Sequence, residues 1–275
     1  MLQELQAMQV PPNHAIPGFY TSDYVHPKCR PYSLRKGHSQ ALILLHGLTG
    51  TPNDFEAYAK PFAEYFDVFV PLLPGHGSHV CHLQNLGIRE LMIPLPALHQ
   101  HLSRLYQNVH VVGMSYGAIL AVASALKAPP KTLSLVAPAF SLTPRAEQRM
   151  VWIRRLKMHR WLPRLRKVHL NRRKPFPLSN PLTYKAHALT PTEALHRLAQ
   201  DLIPQLHQLD MPIWHAHGTH DDTTPVEPNH RLLRARLRNY HFCEVASGPH
   251  VLTLGPHGSA LATQHLQWLQ RHTID

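Results

Sequence analysis

Cysteine is scarce in this chain. There are three in 275 residues, Cys29, Cys81 and Cys243, an odd set in no metal-ligand spacing. That argues against a disulfide framework and points to a reducing compartment, read here as the cytoplasm. Charge is sparse as well: 16% of residues are charged against 44% hydrophobic, which excludes a charge-rich disordered chain. No apolar run reaches the roughly 18 residues of a membrane span. The opening Met1-Leu2-Gln3-Glu4-Leu5-Gln6-Ala7-Met8 has neither the basic start nor the apolar core expected of a secretory leader. There is no internal repeat and no low-complexity tract. The length suits one large domain, or a core with an insertion, able to bury a sizeable interior without staples.

Acids are the scarcest charged type, 16 against 28 Lys and Arg, for a net +12. Such an excess first suggests a partner that is anionic, nucleic acid or a membrane surface. The excess is local, however. Residues 145–174 hold twelve Lys or Arg and one acid, Glu147, and the other 245 residues carry 16 basic and 15 acidic side chains. The chain is therefore nearly neutral apart from one basic segment.

The first forty residues are polar and Pro-rich and read as an arm, with one edge strand near Tyr32 to Arg35, because Pro is confined to sheet edges and ends. Ala41-Leu42-Ile43-Leu44-Leu45 is a short apolar run stopped by His46-Gly47, as expected of a strand buried on both faces. A helix is expected over 52–66, with Pro52 in its first turn and Thr51 as its cap. Further strands are expected at 68–72, 109–113, 133–136, 213–216 and 242–246. Helices are expected over 88–106, interrupted or started by Pro94 and Pro96, and over 118–126, 227–237 and 258–271. This alternation predicts an α/β fold, a mostly parallel central sheet with helices on both faces. Residues 140–208 break the alternation and read as an inserted helical cap. The division is then an arm over 1–39, a core over 40–139 and 209–275, and a basic cap over 140–208.

Gly113-Met114-Ser115-Tyr116-Gly117 follows a β-branched strand and precedes an Ala-rich helix. That is the strand–turn–helix in which G-x-S-x-G presents a nucleophilic serine. A serine hydroxyl needs a base within hydrogen-bond reach and a third group to orient that base. On such a fold the acid and then the histidine follow in chain order. Asp221 or Asp222 falls in the loop after one later strand, and His250 in the loop after the last strand. Among 24 histidines, position is what selects His250 over His257. The tetrahedral intermediate needs two fixed N–H donors. The residue after the nucleophile, Tyr116, supplies one, and Leu48 in His46-Gly47-Leu48-Thr49-Gly50 is placed to supply the other. His46 reads as a buried support of that loop.

Five motifs stand in order: His46-Gly47-Leu48-Thr49-Gly50, Leu73-Pro74-Gly75-His76-Gly77, Gly113-Met114-Ser115-Tyr116-Gly117, Gly218-Thr219-His220-Asp221 and His250-Val251-Leu252-Thr253-Leu254. Together they resemble the α/β-hydrolase superfamily, and within it the bacterial carboxylesterase and monoacylglycerol lipase-like branch, over about 40–140 and 210–272. The resemblance implies a serine esterase working through an acyl-enzyme on short or medium acyl esters or monoacylglycerol. It implies Ser115 as nucleophile, His250 as base, Asp221 in the G-x-x-D position with Asp222 in reserve, and Leu48 and Tyr116 as oxyanion donors. It implies no cofactor. It also makes apolar cap residues, Trp152 and Trp161 among them, the wall of an acyl pocket. The arm and the basic insert depart from such esterases.

Other readings compete. His215-Ala216-His217-Gly218-Thr219-His220-Asp221-Asp222 is loosely similar to the H-x-H-x-D-H metal motif of the metallo-β-lactamase fold, although zinc needs three or four converging ligands. The mixture of Trp, Leu and cations in 145–174 suits an amphipathic surface on anionic lipid, which would make the protein peripheral on the inner membrane face. A cap over a pocket is badly placed to track a nucleic-acid backbone. Transfer of the acyl group to an alcohol or thiol uses the same residues as transfer to water.

Overall fold

The computed structural model describes residues 25–166 and 182–273, with the side chain of Arg166 left out. Most of the arm, 1–24, and part of the basic segment, 167–174, lie outside the described residues. In chain order, with helices of nine residues or more labelled, the elements are β1 (Tyr32–Leu34), β2 (Gln40–Leu45), β3 (Asp67–Val70), α1 (Pro94–Leu102), β4 (Asn108–Met114), α2 (Tyr116–Ala125), β5 (Thr132–Val136), α3 (Pro144–Arg155), β6 (Arg164–Arg166), β7 (Ala186–Ala188), α4 (Leu189–Leu202), β8 (Ile213–Gly218), α5 (Val226–Arg234), β9 (Tyr240–Val245) and α6 (Gly255–Thr273).

Seven strands form the central sheet in the order β1-β3-β2-β4-β5-β8-β9. Edge strand β1 runs antiparallel to β3, and the remaining pairings are parallel. The alternation of β2 divides two cores. Ala41, Ile43 and Leu45 pack with α1, α2 and α4 on one face. Leu42 and Leu44 pack with Phe55, Phe62, Trp214 and Trp268 on the other. A strand covered on both faces has no polar face to show, which is why its sequence is a continuous apolar run. Strand order reverses beside β2, so the carboxyl ends of β2 and β4 flank the switch point where open α/β sheets bind ligands.

Two expected helices are divided by proline. The 52–66 stretch is a short α-turn, Glu56–Ala59, between the 3-10 turns Pro52–Phe55 and Lys60–Glu64. Pro61 lacks the N–H that would continue the ladder. At its start the Thr51 N–H donates to Asp54 Oδ2 at 3.1 Å. Within 88–106, Ile88–Met92 ends before Pro94, which opens α1. Between β5 and β8 the chain adds to α3 and α4 a small antiparallel sheet, β6 with β7, which the composition of 140–208 does not announce. Among the described residues no helix is long and apolar enough to cross a membrane.

Buried histidine marks this interior. His46, His110, His215 and His265 are fully buried. His265 bridges Tyr58 Oη at 2.6 Å and Ser134 Oγ at 2.7 Å and stacks on Trp214. Burial, aided by neighbouring His76, by His217 and His230, and by His110 respectively, pushes His46, His215 and His265 well below the ordinary imidazole range. Burial and nearby Lys131 bring His110 to about 4. In the unfolded chain these groups titrate near about 6.5. Below that pH the unfolded state takes up protons that the folded state refuses. The stability they permit is therefore complete above about pH 6.5 and is lost as pH falls, each such group adding about 1.4 kcal/mol per pH unit. Four groups make about 5 kcal/mol per unit, and a domain of this size loses about 2 °C per kcal/mol. Circular-dichroism melts should show Tm falling by about 10 °C per pH unit below pH 6.5; a flat Tm down to about pH 5 would contradict this account.

Candidate active site

Strand β4 ends at Met114 and α2 begins at Tyr116, leaving Ser115 alone in the turn with φ 55° and ψ −123°. A non-glycine residue rarely adopts such a backbone, so the turn is strained. It holds because its neighbours are glycines. A Cβ on Gly117 would run into the carbonyl oxygens of Leu45 and His46, and one on Gly113 into the Gly117 and Ala118 backbone. The Ser115 N–H is tied to Val136 O at 2.9 Å.

Two glycines bring the acid and histidine loops together. A Cβ on Gly218 would collide with the Gly248 carbonyl. The His220 N–H donates to Gly248 O at 2.9 Å, and the Ser247 N–H to Thr219 Oγ1 at 2.8 Å. This zipper carries Asp221 and His250 to Ser115. His250 Nε2 lies 3.0 Å from Ser115 Oγ, and His250 Nδ1 lies 2.7 Å from Asp221 Oδ2. Asp222 sits on the exposed side of its loop, whereas the Asp221 carboxylate is enclosed. Asp221 Oδ1 accepts the N–H groups of Thr223 and Thr224, each at 2.8 Å. Its Oδ2 accepts the Thr224 hydroxyl at 2.8 Å. Burial alone would raise the Asp221 pKa. The charge of His250 and the bonds from His217, His250 and Thr224 outweigh burial and hold the carboxyl well below the usual carboxylate range. Of the two acids, Asp221 is the one within hydrogen-bond distance of His250. His257 lies in the first turn of α6.

The loop after β2 packs directly on the serine: a Cβ on Gly47 would come 3.1 Å from Ser115 Cβ. Two histidines shape this loop. His46 Nε2 accepts the Leu73 N–H at 3.0 Å, and its Nδ1 donates to Gly47 O at 3.0 Å. His76 Nε2 accepts the Thr49 N–H at 3.1 Å, and its Nδ1 donates to Pro74 O at 2.9 Å. His46 is thus a support, as expected. The role of His76 is not visible in sequence, since only the fold brings Thr49 to it. Among the described residues the N–H groups of Leu48 and Tyr116 have no backbone acceptor. A serine, a base, a buried carboxylate and two spare N–H donors make a constellation suited to acyl transfer.

The remaining sequence candidates fall elsewhere. Trp152 and Trp161 were expected as pocket wall, but 58% and 65% of their surface is exposed. The phase of α3 explains this: Ala146, Met150 and Ile153 face the core, which turns Trp152 outward. His215 and His217 bond to each other, Nε2 to Nδ1 at 3.0 Å, and His220 is exposed, so the three imidazoles do not converge.

Comparison with known proteins places the fold and the family. The sequence matches the alpha/beta hydrolase family over residues 42–263. It is 29% identical over 80 residues to a thermostable monoacylglycerol lipase of Bacillus sp. (strain H-257), a match spanning 29% of this chain and 32% of that protein. The fold is similar to that of a structure from work on LipS and LipT, two metagenome-derived lipolytic enzymes, with TM-score 0.78 and 17% identity over 90% of this chain and 100% of the other. It is also similar to a Paleococcus ferrophilus monoacylglycerol lipase, with TM-score 0.75 and 18% identity over 88% of this chain and 98% of the other.

Proposed function

The chain belongs to the alpha/beta hydrolase family, and we propose that it is a serine hydrolase of carboxylic esters, acting in the cytoplasm through an acyl-enzyme. The observation that carries this reading is the continuous line of Ser115 Oγ, His250 and Asp221, with spacings of 3.0 and 2.7 Å. His250 Nε2 takes the Ser115 proton as Oγ attacks the ester carbonyl. Asp221 keeps the Nδ1–H tautomer in place and stabilises the imidazolium that forms. The new oxyanion turns toward the N–H groups of Leu48 and Tyr116, each worth about 3 kcal/mol when fixed in advance. His250 then returns its proton to the leaving alkoxide. Water, deprotonated by the same imidazole, cleaves the acyl-enzyme and restores Ser115.

The substrates proposed are short or medium acyl esters and monoacylglycerols, in keeping with the lipase resemblance. The 140–208 insert is tied to the loops of the site at two described positions, Thr143 and Tyr184. The Thr143 N–H donates to Thr223 O at 3.2 Å, and the Tyr184 N–H to Thr49 O at 3.3 Å, so this insert acts as the cap. The partner beyond the ester is an anionic membrane surface, contacted through the basic face of the cap. Turnover of p-nitrophenyl esters of increasing chain length, alongside monoacylglycerol, tests the assignment. Hydrolysis with an optimum at short or medium chains is expected, and a folded protein inert toward the whole series would overturn it.

A further inference from the structure

Six large hydrophobic side chains are exposed among the described residues, and four of them, Val151, Trp152, Leu156 and Trp161, lie within eleven positions. Three of them, Trp152, Leu156 and Trp161, adjoin. Trp152 and Leu156 are helical neighbours at i and i+4, and the Trp161 indole N–H donates to Leu156 O at 3.2 Å, holding that ring beside Leu156. Exposed cations are interspersed with them along the chain: Arg149, Arg154, Arg155, Lys157, Arg160 and Arg164. The two acids nearby are both engaged, Glu147 while partly exposed and Glu193 while buried. Glu147 faces His196 at 3.3 Å and accepts the Leu142 N–H at 2.9 Å. Glu193 is buried and meets Arg154 at 3.4 Å. An outer face that is cationic and apolar at once has two complements to satisfy. Aliphatic Val151 and Leu156 offer no π-face to stack on a base, but they gain by entering an acyl phase.

We infer that this face docks the protein on an anionic lipid bilayer, with Trp152, Leu156 and Trp161 at headgroup depth and the cations against lipid phosphates. Because α3 follows Thr143, which bonds the loop carrying Asp221, docking holds the Ser115 mouth close to ester at the membrane. That consequence rests on the ester-hydrolase reading; the docking itself does not.

Vesicle sedimentation tests it, using phosphatidylcholine alone and phosphatidylcholine with phosphatidylglycerol. Binding is expected only to the anionic vesicles at low salt, and to be lost at about 1 M salt, where the screening length is about 3 Å. Each surface cation contributes about fivefold, so Arg155→Gln/Lys157→Gln/Arg160→Gln should weaken binding about a hundredfold. Its p-nitrophenyl butyrate turnover without vesicles should be unchanged. Of the four tryptophans, Trp214 and Trp268 are buried, so a blue shift on binding reports Trp152 and Trp161. Equal binding to both vesicle types at low salt overturns the proposal. So does wild-type binding by the triple variant, or a nucleic-acid mobility shift without vesicle binding. Docking without any ester turnover would instead sink only the hydrolase reading.

A second observation stands apart from the first. A hydrogen-bonded line runs from the back of the site to the far edge of the sheet. His217 Nε2 lies 3.2 Å from Asp221 Oδ2 and 2.7 Å from Thr224 O. Both are acceptors, so this nitrogen carries the proton. His217 Nδ1 lies 3.0 Å from His215 Nε2. His215 Nδ1 lies 2.6 Å from the Tyr240 hydroxyl, which lies 2.9 Å from His230 Nδ1. The geometry assigns His217 as a positioning residue: it holds the Thr224 carbonyl and stands 3.2 Å from the same Asp221 Oδ2 that meets His250, with His215, Tyr240 and His230 lined up behind it. The other titratable or charged groups around this line are His220 and Asp222 on the same loop, His250, Glu244 beside His217 in the β8–β9 register, and Arg234 near Tyr240.

His217→Phe should lower kcat about 10- to 100-fold with KM little changed, the range for losing a hydrogen bond to a charged group. It should also move the acid limb of the kcat/KM profile upward, because a carboxylate without this donor holds the His250 proton more tightly. Gln carries an N–H where Nε2 stands, so His217→Gln should recover most of both. A structural role alone would change stability and leave the acid limb in place, and that result overturns the assignment, as does failure of His217→Gln to rescue a folded enzyme. This inference also rests on the hydrolase reading. An inert wild type refutes that reading, whereas an active wild type with a normal His217→Phe profile refutes only this role.

Discussion

Replacing Ser115 with alanine should reduce kcat for p-nitrophenyl butyrate by on the order of 10⁶-fold, with KM near the wild-type value. The size follows from what the hydroxyl does. It forms the bond that divides hydrolysis into two easier steps, and no neighbouring side chain can take its place. His250 Nε2 would still face the cleft, so residual turnover would come from the N–H donors of Leu48 and Tyr116 and from His250 acting on water. The fold should persist, because the strained turn is held by the backbone bond to Val136 O and by its flanking glycines, not by the hydroxyl. An unchanged melting curve with absent turnover is the expected pair. Turnover within about tenfold of wild type would remove Ser115 from the chemistry.

Asp221→Asn should lower kcat by about 10⁴-fold, while Asp222→Asn should stay within about threefold. The contrast is geometric. Asp221 accepts four hydrogen bonds, from His250, Thr223 N–H, Thr224 N–H and the Thr224 hydroxyl, and His217 Nε2 lies 3.2 Å from its Oδ2. An amide there presents either an N–H to donors, which repels them, or its oxygen without charge. In both cases His250 loses the partner that fixes its Nδ1–H, and the imidazolium loses its counter-charge. Asp222 faces solvent beside Thr223, where an amide replaces a carboxylate at little cost. Equal losses from the two substitutions, read as kcat with a melting curve for each, would contradict the assignment.

The physical reasons for what was legible differ from place to place. The central strands could be read because Leu42, Leu44, Val68 and Val112 serve one core while their strand neighbours serve another, so the pattern is local and continuous. The turn at Ser115 could be read because its requirement, glycines on both sides between a strand and a helix, is also local. Asp221 against Asp222 could not be settled from the residues alone. Which one turns inward depends on the zipper between Gly218 and Gly248, which joins loops about thirty residues apart. The outward phase of Trp152 depends on which face of α3 meets the core, and composition carries no phase. The β6–β7 hairpin pairs an arginine-rich strand with Ala186–Ala188 across a long connection, and no local signal foretells such a pairing. His217 lay hidden for the opposite reason. A crowd of histidines around 215–220 suggested metal ligands, and only the fold shows His215 meeting Tyr240 across the β8–β9 pair and His217 approaching Asp221 where the loop after β8 turns back.

Labelling with a fluorophosphonate, followed by mapping of the modified peptide, tests the central claim most directly. The reagent forms its bond only with a serine activated by a working base. The account predicts one label per chain, carried on Ser115, appearing in step with loss of ester turnover and absent from His250→Ala. A label on any other serine, or full turnover after Ser115 is modified, would contradict it.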